Sequence, residues 1–420
     1  MGPAAGIGAG AFSRANRSLD PDTKDCEAAV GGTAIRAASE YGDRDKGWMM
    51  RLSPDISGYK SQSARLRLAA IGFSWLAVAS VSAQDYGSYA GDAAIADAGT
   101  KVQLVINKDP KNASRTLGYS EGPAVDADGN LYFTEDQGSN GNIWKVGSDG
   151  KGASFYSGPA MPNGMEFDPQ GRLIVCEKVS VSAFDKAGAR TPLAMNPALG
   201  GDKRINDLTI ASTGAMFFTN WDGNNVFYRS PDGTVAKYSG YSTTNGIEWI
   251  EERKILYLSQ DGPDAVYRYE VNADGTLKNE KKFADVKEPD GMTADEKGNL
   301  YVASYDEGII QVFDSTGKAL GGISVKSAGS DADGQRANTS NCVFGGADNK
   351  TLYITGDGGA YKITLKVAGR KRPGATNLRH RSGFAAPSPR NVEAGYSLDG
   401  RKLRVPKPAA IMLVTSQPSR

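Results

Sequence analysis

Asp128-Gly129-Asn130-Leu131-Tyr132-Phe133 returns five more times along the chain in altered form. Its counterparts are Gly171-Arg172-Leu173-Ile174-Val175, Gly214-Ala215-Met216-Phe217-Phe218 and Arg253-Lys254-Ile255-Leu256-Tyr257, followed by Gly298-Asn299-Leu300-Tyr301-Val302 and Asn349-Lys350-Thr351-Leu352-Tyr353. The anchors at 129, 171, 214, 253, 298 and 349 stand 42, 43, 39, 45 and 51 residues apart. Most are followed by a second alternating run, as in Asn142-Ile143-Trp144-Lys145-Val146 and Ala265-Val266-Tyr267-Arg268-Tyr269. Period-two alternation between Asp-Gly or Asn-Gly turns gives antiparallel strands, about four to a repeat. An all-β period of roughly 40–50 residues marks a propeller. An ordinary sandwich would not hold a near-constant period over six units. The sequence therefore predicts an all-β fold, a six-bladed β-propeller with a central channel.

The flanks differ from the repeats in charge. Residues 1–83 carry ten basic and eight acidic side chains, 84–365 carry 27 and 38, and 366–420 carry twelve and two. These net charges of +2, −11 and +10 lie within a 420-residue chain whose total is only +1. The acidic middle excludes nucleic acid as its partner and suits a cation. The organisation expected is a leader at 1–83, the propeller at 84–367 and a disordered basic tail at 368–420. In the tail, Arg370, Lys371, Arg372, Arg379 and Arg381 allow a polyanion-binding arm, but the low apolar content favours plain disorder. A chain cut to 84–367 is expected to fold and keep its activity.

The leader contains a signal-like segment: Arg65 and Arg67, the apolar run Leu68–Ala79, then Val81-Ser82-Ala83. The run is too short to span a membrane, and no other run in the chain approaches the ~18 residues needed. Initiation at Met49 or Met50 would leave 1–48 untranslated and put this segment at a terminus. The expectation is a secreted or periplasmic monomer with no stable membrane insertion.

Eight residues before each anchor stands a polar residue: Glu121, Asn163, Asn206, Asn245, Asp290 and Asn341. First strands of propeller blades line the channel, so these positions form a ring of oxygen donors. Any one Asn-Gly, such as Asn163-Gly164, is by itself a turn signal; six polar residues in one register are a site. With no His or Cys among them, hard oxygen ligands select Ca2+ or Mg2+, with Mn2+ as a further choice. Glu121 and Asp290 balance one divalent ion.

Glu121-Gly122-Pro123, Arg204-Ile205-Asn206-Asp207-Leu208, Asn245-Gly246-Ile247, Pro289-Asp290-Gly291-Met292 and Asn341-Cys342-Val343-Phe344-Gly345-Gly346 resemble the gluconolactonase/regucalcin (senescence-marker-protein) family. The resemblance covers about residues 101–367. It implies a six-bladed propeller with one divalent cation, Ca2+ first and Mg2+, Mn2+ or Zn2+ as alternatives, and hydrolysis of lactones. By motif, Glu121, Asn245 and Asp290 correspond to metal ligands, and Asn206 to a fourth ligand or a substrate contact. Arg204 corresponds to a substrate-binding cation, and Asn163 is left to substrate binding. Two departures stand out. Phe218-Thr219-Asn220-Trp221 replaces the family's Phe-Thr-Asp-Pro, which alters a pocket wall, and Ile205 stands where Pro is usual.

The ligand set fixes the chemistry expected. A cation polarises a lactone carbonyl and acidifies water. The only His, His380, lies in the tail, so the base is a carboxylate: Asp290, with Asp207 in reserve. Arg204 steadies the developing oxyanion or holds substrate hydroxyls. No Gly-x-Ser-x-Gly elbow is present, which excludes the common serine hydrolase. Cys26 belongs to the leader; Cys176 and Cys342, in the second and sixth repeats, read as buried free thiols. The leading function is hydrolysis of a sugar lactone. A propeller esterase or phosphotriesterase, or a non-catalytic ligand-binding propeller, are the alternatives.

Overall fold

Leu131–Gln137, the strand that holds most of the repeated stretch, lies second in an antiparallel sheet ordered Ser120–Val125, Leu131–Gln137, Asn140–Val146, Gly152–Gly158. This is blade one in a computed structural model that describes residues 84–373 except 138–139, 159, 196–198, 202–203 and 330–332, together with 26–30 and 33–37. Blades two to six begin with the strands Met165–Phe167, Ile205–Ile210, Thr244–Ile250, Pro289–Ala294 and Thr339–Gly345. Each first strand touches the next, and that of blade six returns to that of blade one, closing a ring of six. The predicted propeller is the fold.

The chain divides into two units, Met1–Ser80 and Val81–Arg420. In the first, Cys26–Val30 and Thr33–Ala37 pair as an antiparallel hairpin. The signal-like run, the proposed starts at Met49 or Met50, His380 and the tail from 374 lie outside the described residues.

The repeated glycine has a local cause. In blade one, Asp126 Oδ1 accepts the amides of Asp128 and Asn130 at 3.0 and 2.8 Å, while Gly129 N–H donates to Asp126 O at 3.0 Å. Closing that turn puts Gly129 at φ 82°, a region open to glycine at little cost. Asp168 and Asp295 cap the same turn before Gly171 and Gly298. Blades four and six fill the left-handed position with Lys254 (φ 53°) and Asn349 (φ 57°). In blade four this is one residue past the anchor read at Arg253.

Blade six takes its outermost strand, Gln103–Ile106, from the N-terminal side and pairs it with Gly359–Thr364. Gly87–Gly91 adds a fifth strand to blade five. Apolar and aromatic residues fill the seams between blades. Tyr301 of blade five meets Phe344 of blade six edge-on at 5.1 Å, and Phe217 of blade three meets Trp249 of blade four at 5.0 Å. Cys176 and Cys342 are buried and free, as expected.

One boundary is corrected. The chain does not leave the fold at Val367, since Glu296 N–H donates to Ala368 O at 2.9 Å and Arg370 N–H to Ala294 O at 3.1 Å. Arg370 is 8% exposed and ion-paired to Glu248. Neither Arg370 nor Arg372 belongs to a disordered tail or a free polyanion-binding arm, and the propeller's contacts extend past Val367 to Arg372. Two buried carboxylates hold them, as described below.

At the axis the first strands come together without room for side chains between them. A Cβ on Gly246 would lie 2.2 Å from Asp290 O; one on Gly122 would lie 2.2 Å from Asn163 O, and one on Gly291 1.9 Å from Asn341 Cγ. Gly246→Ala should therefore cost about 2 kcal/mol or more, since backbone rather than a flexible side chain must give way. Gly118→Ala, whose Cβ finds its nearest atom at 3.8 Å, is the control. Urea midpoints check this: equal midpoints for the two variants would remove the packing argument.

Candidate functional site

Five of the six ring positions stand at irregularities in the first strands, and Asn163 lies just before the strand Met165–Phe167. Pairing slips between Glu121 and Ala124, Ile205 and Leu208, Thr244 and Ile247, Pro289 and Met292, and Thr339 and Asn341. Such bulges turn a side chain out of the ladder, here toward the axis. Hydroxyls on second strands pin the distorted backbone: Thr219 Oγ1 donates to Asn245 O at 2.7 Å and Ser259 Oγ to Asp290 O at 3.1 Å. Gly164 N–H donates to Asn206 O at 2.8 Å, joining blades two and three. The ring is thus built from backbone that each blade holds for the next.

Four of the six ring residues, Glu121, Asn245, Asp290 and Asn341, are buried; Asn163 and Asn206 are half-buried. The Tyr119 hydroxyl lies 3.3 Å from both Glu121 Oε1 and Asp290 Oδ2, so blades one and five meet at a single phenol. Asn341 Nδ2 donates to Asp207 Oδ2 at 3.3 Å, and Asp207 Oδ1 accepts Leu208 N–H at 2.9 Å. Both oxygens of Asp207 are engaged, which makes it a poorer proton acceptor than Asp290.

Burial raises all three carboxyls, and crowding adds to it at Glu121 and Asp290. Glu121 is pushed up to about 8 by burial and then by the charge of Asp207. Asp207 is pushed up to about 7 by burial, against the pull of Leu208 N–H, Asn341 and Arg372. Burial, then Glu121, Asp261 and Asp207, hold Asp290 well above the usual range. Carboxylates forced together in low dielectric stay ionised only beside positive charge. Asn245 Oδ1 is also buried with no hydrogen-bond donor, a costly state for a carbonyl oxygen. Among the described residues no three Asp, Glu, His or Cys side chains form a metal-holding group. A cation here would rest on carboxylate and amide oxygens together. The donor set fits a hard divalent ion.

Arg204 lies at the rim with its side chain 55% exposed. Its φ of 55° is sustained by Arg204 N–H donating to Lys178 O at 2.6 Å. The guanidinium covers the Trp221 ring at 4.2 Å, with Nη1 3.4 Å from Asp222. Trp221 Nε1 in turn donates to Asp261 Oδ2 at 2.9 Å. Burial raises Asp261 to about 6, opposed by Trp221 and by Asn245. The departure at Asn220-Trp221 is therefore a wall that carries Arg204 on one face and reaches the ring through Asp261. Tyr119 and Asp261 escaped the sequence reading because neither stands in the repeat's register, whereas Trp221 was marked there only as an altered pocket wall.

A second layer escaped it too, although the register contained it. Three residues past Asn163 and Asn245 come Glu166 and Glu248, 3% and 0% exposed. They pair with Arg370 and Arg372.

Residues 119–357, more than half of the chain, match the model of the SMP-30/gluconolactonase/LRE-like region. Lactonase drp35 of Staphylococcus haemolyticus is 28% identical over 259 residues, covering 56% of this chain and 78% of that protein. A gluconolactonase structure from Xanthomonas campestris superimposes with a TM-score of 0.56 at 26% identity, over 67% of this chain and 95% of the other. The calcium-binding protein regucalcin of Agrobacterium tumefaciens shares the fold, with a TM-score of 0.55 at 17% identity over 69% and 98%.

The raised carboxyls give a pH signature. Glu121 and Asp207 bind protons more tightly folded, at about 8 and about 7, than at their ordinary 4.5 and 3.8. Their contribution to stability is full below pH ~4 and is lost as pH climbs through about 7 and 8. In chelator, the melting temperature should fall more steeply between pH ~5 and ~9 for the wild type than for Glu121→Gln, and calcium should flatten the wild-type slope. Parallel slopes would show that the carboxyls do not repel.

Proposed function

We propose that this chain, which belongs to the SMP-30/gluconolactonase/LRE-like family, opens the ester bond of a sugar lactone at the Glu121–Asp290 end of its channel with the help of one divalent cation. The observation that carries this reading is the mutual closeness of the buried carboxyls Glu121, Asp207 and Asp290, in a ring that also includes the unpartnered Asn245 Oδ1. Ionised, that arrangement calls for a positive charge beside it. The drp35 and gluconolactonase relatives support a lactone as the substrate class, and regucalcin's calcium supports Ca2+ as the first ion to test.

Glu121, Asn206, Asn245 and Asp290 would hold the ion. When bound, it supplies positive charge that polarises a lactone carbonyl and acidifies water. The chain's own residues do the rest. Asp290, buried and touched by the Tyr119 hydroxyl at 3.3 Å, takes the proton from the attacking water. Asp207 holds Asn341 in place rather than acting as base. Arg204, braced on Trp221, presents a cation at the rim to substrate hydroxyls or the developing oxyanion, with Asn163 and Asn206 as half-buried polar contacts. The reading includes export from the cytoplasm, which the signal-like run ending at Ala83 supports.

Glucono-lactone should be hydrolysed faster than an aryl ester, and a chelator should abolish the reaction. Preference for the aryl ester would favour the esterase alternative, and no turnover of either the ligand-binding one. Asp290→Asn should lower kcat by about 10²–10⁴ and weaken calcium binding in calorimetric titration. Asn245→Ala should weaken binding through lost coordination alone, and Asn163→Ala should leave it nearly normal. Equal weakening by all three would mean the ring acts through the fold, and the ligand assignment would go.

A further inference from the structure

Beneath the ring the channel carries a second charge system. Arg372 Nη1 lies 2.9 Å from Glu166 Oε1 of blade two, and its Nη2 lies 2.8 Å from Glu248 Oε2 of blade four. Nη2 also donates to Thr293 Oγ1 of blade five at 2.9 Å. Arg370 Nε donates to the other Glu248 oxygen at 2.5 Å, and Glu166 Oε2 accepts Ile210 N–H of blade three at 3.0 Å. One planar guanidinium thus reaches three blades, which a single lysine ammonium on its flexible stem could not match. Gly369 lets the strand of chain pass, since a Cβ there would lie 2.1 Å from Phe344 Cβ. A cavity of about 30 Å³ lies between the two systems, lined by Asp207 and Asn341 above and by Glu166, Glu248, Arg370 and Arg372.

The count of charges is informative. The channel buries five carboxylates, Glu121, Asp207, Asp290, Glu166 and Glu248, in a propeller whose residues 84–365 sum to −11. Two of the five have fixed cationic partners, and the remaining three have none of comparable closeness. Glu166 and Glu248 are near enough for one guanidinium to bridge, so without the arginines their oxygens would make a second acidic pair across the axis.

We propose that the segment 368–372 is a counter-ion supplied by the chain itself: Arg370 and Arg372 occupy the inner half of the channel, keep mobile divalent cations out of it and close that end to substrate. Cation and substrate are thereby confined to the Glu121–Asp290 mouth. The inner half is argued from its own ion pairs; the statement about the mouth rests on the function proposed above.

The test uses the full chain with calcium alone, in calorimetric titration and thermal melts, with no substrate. Wild type should bind one equivalent. Arg370→Met/Arg372→Met should bind one equivalent more than wild type, and its melting temperature, lowered in chelator, should recover with calcium. Adding Glu166→Gln/Glu248→Gln to that variant should remove the extra equivalent and the calcium requirement. A double variant that is unfolded in chelator but folded in calcium supports the proposal. A double variant that binds no extra calcium overturns it, as does one that stays unfolded in calcium, whether or not the quadruple variant folds. A quadruple variant that keeps the extra equivalent overturns it as well. Wild type binding no calcium would defeat the metal reading of the mouth, while the gain of one equivalent in the double variant would still uphold the counter-ion.

Discussion

Everything at the axis follows from how closely six first strands approach one another. Where Gly246 meets Asp290 O and Gly122 meets Asn163 O, contact is backbone to backbone, and a methyl group has no place. Strands so close cannot all present side chains inward. Bulges in five blades answer this by turning a polar residue toward the axis, and glycine takes the inter-blade contact in four of the six. Blades three and six use Asp207 and Cys342 at that step instead. Asp207 brings a third carboxyl into the ring as a result, and the geometry of packing becomes the electrostatics of the site.

Those electrostatics are layered. The outer ring holds carboxyls that burial and mutual repulsion drive toward protonation. The inner layer holds Glu248, whose carboxyl Arg370 and Arg372 draw below its ordinary range despite full burial. A buried ion pair is weak support for stability but expensive to break, at about 3–5 kcal/mol when one partner is removed. Buried acids three residues apart in the register therefore behave oppositely in the two layers, and the difference is whether the chain supplies the positive charge.

The propeller was legible because its cause is periodic. Asp126, Asp168 and Asp295 cap the same hairpin before the same glycine, and a strand of alternating residues follows each time. The ring was legible for the same reason, as Glu121, Asn245, Asp290 and Asn341 share a register. Tyr119 and Asp261 were not, because each reaches the site from a turn or strand end that only three-dimensional closure brings near. The tail misled through composition. Arg370-Lys371-Arg372 looks like a solvated basic run, and nothing local reveals that Glu166 and Glu248, some 206 and 124 residues earlier, wait for two of its side chains. Long-range charge pairing leaves no periodic trace.

Blade six draws its outermost strand from residues 103–106 and its other three from 339–364. During synthesis the strand Gln103–Ile106 leaves the ribosome well over two hundred residues before its partner Gly359–Thr364 exists. Blades one to five can form in order, but until then they make an open arc with two exposed inter-blade faces. Contacts of such sequence separation carry a large loop-closure cost and fold slowly. The final event is a clasp. A ribosome stalled before residue 359, or a protease cutting near it, leaves an unclosed arc with apolar seams in water, a natural substrate for chaperones and for self-association.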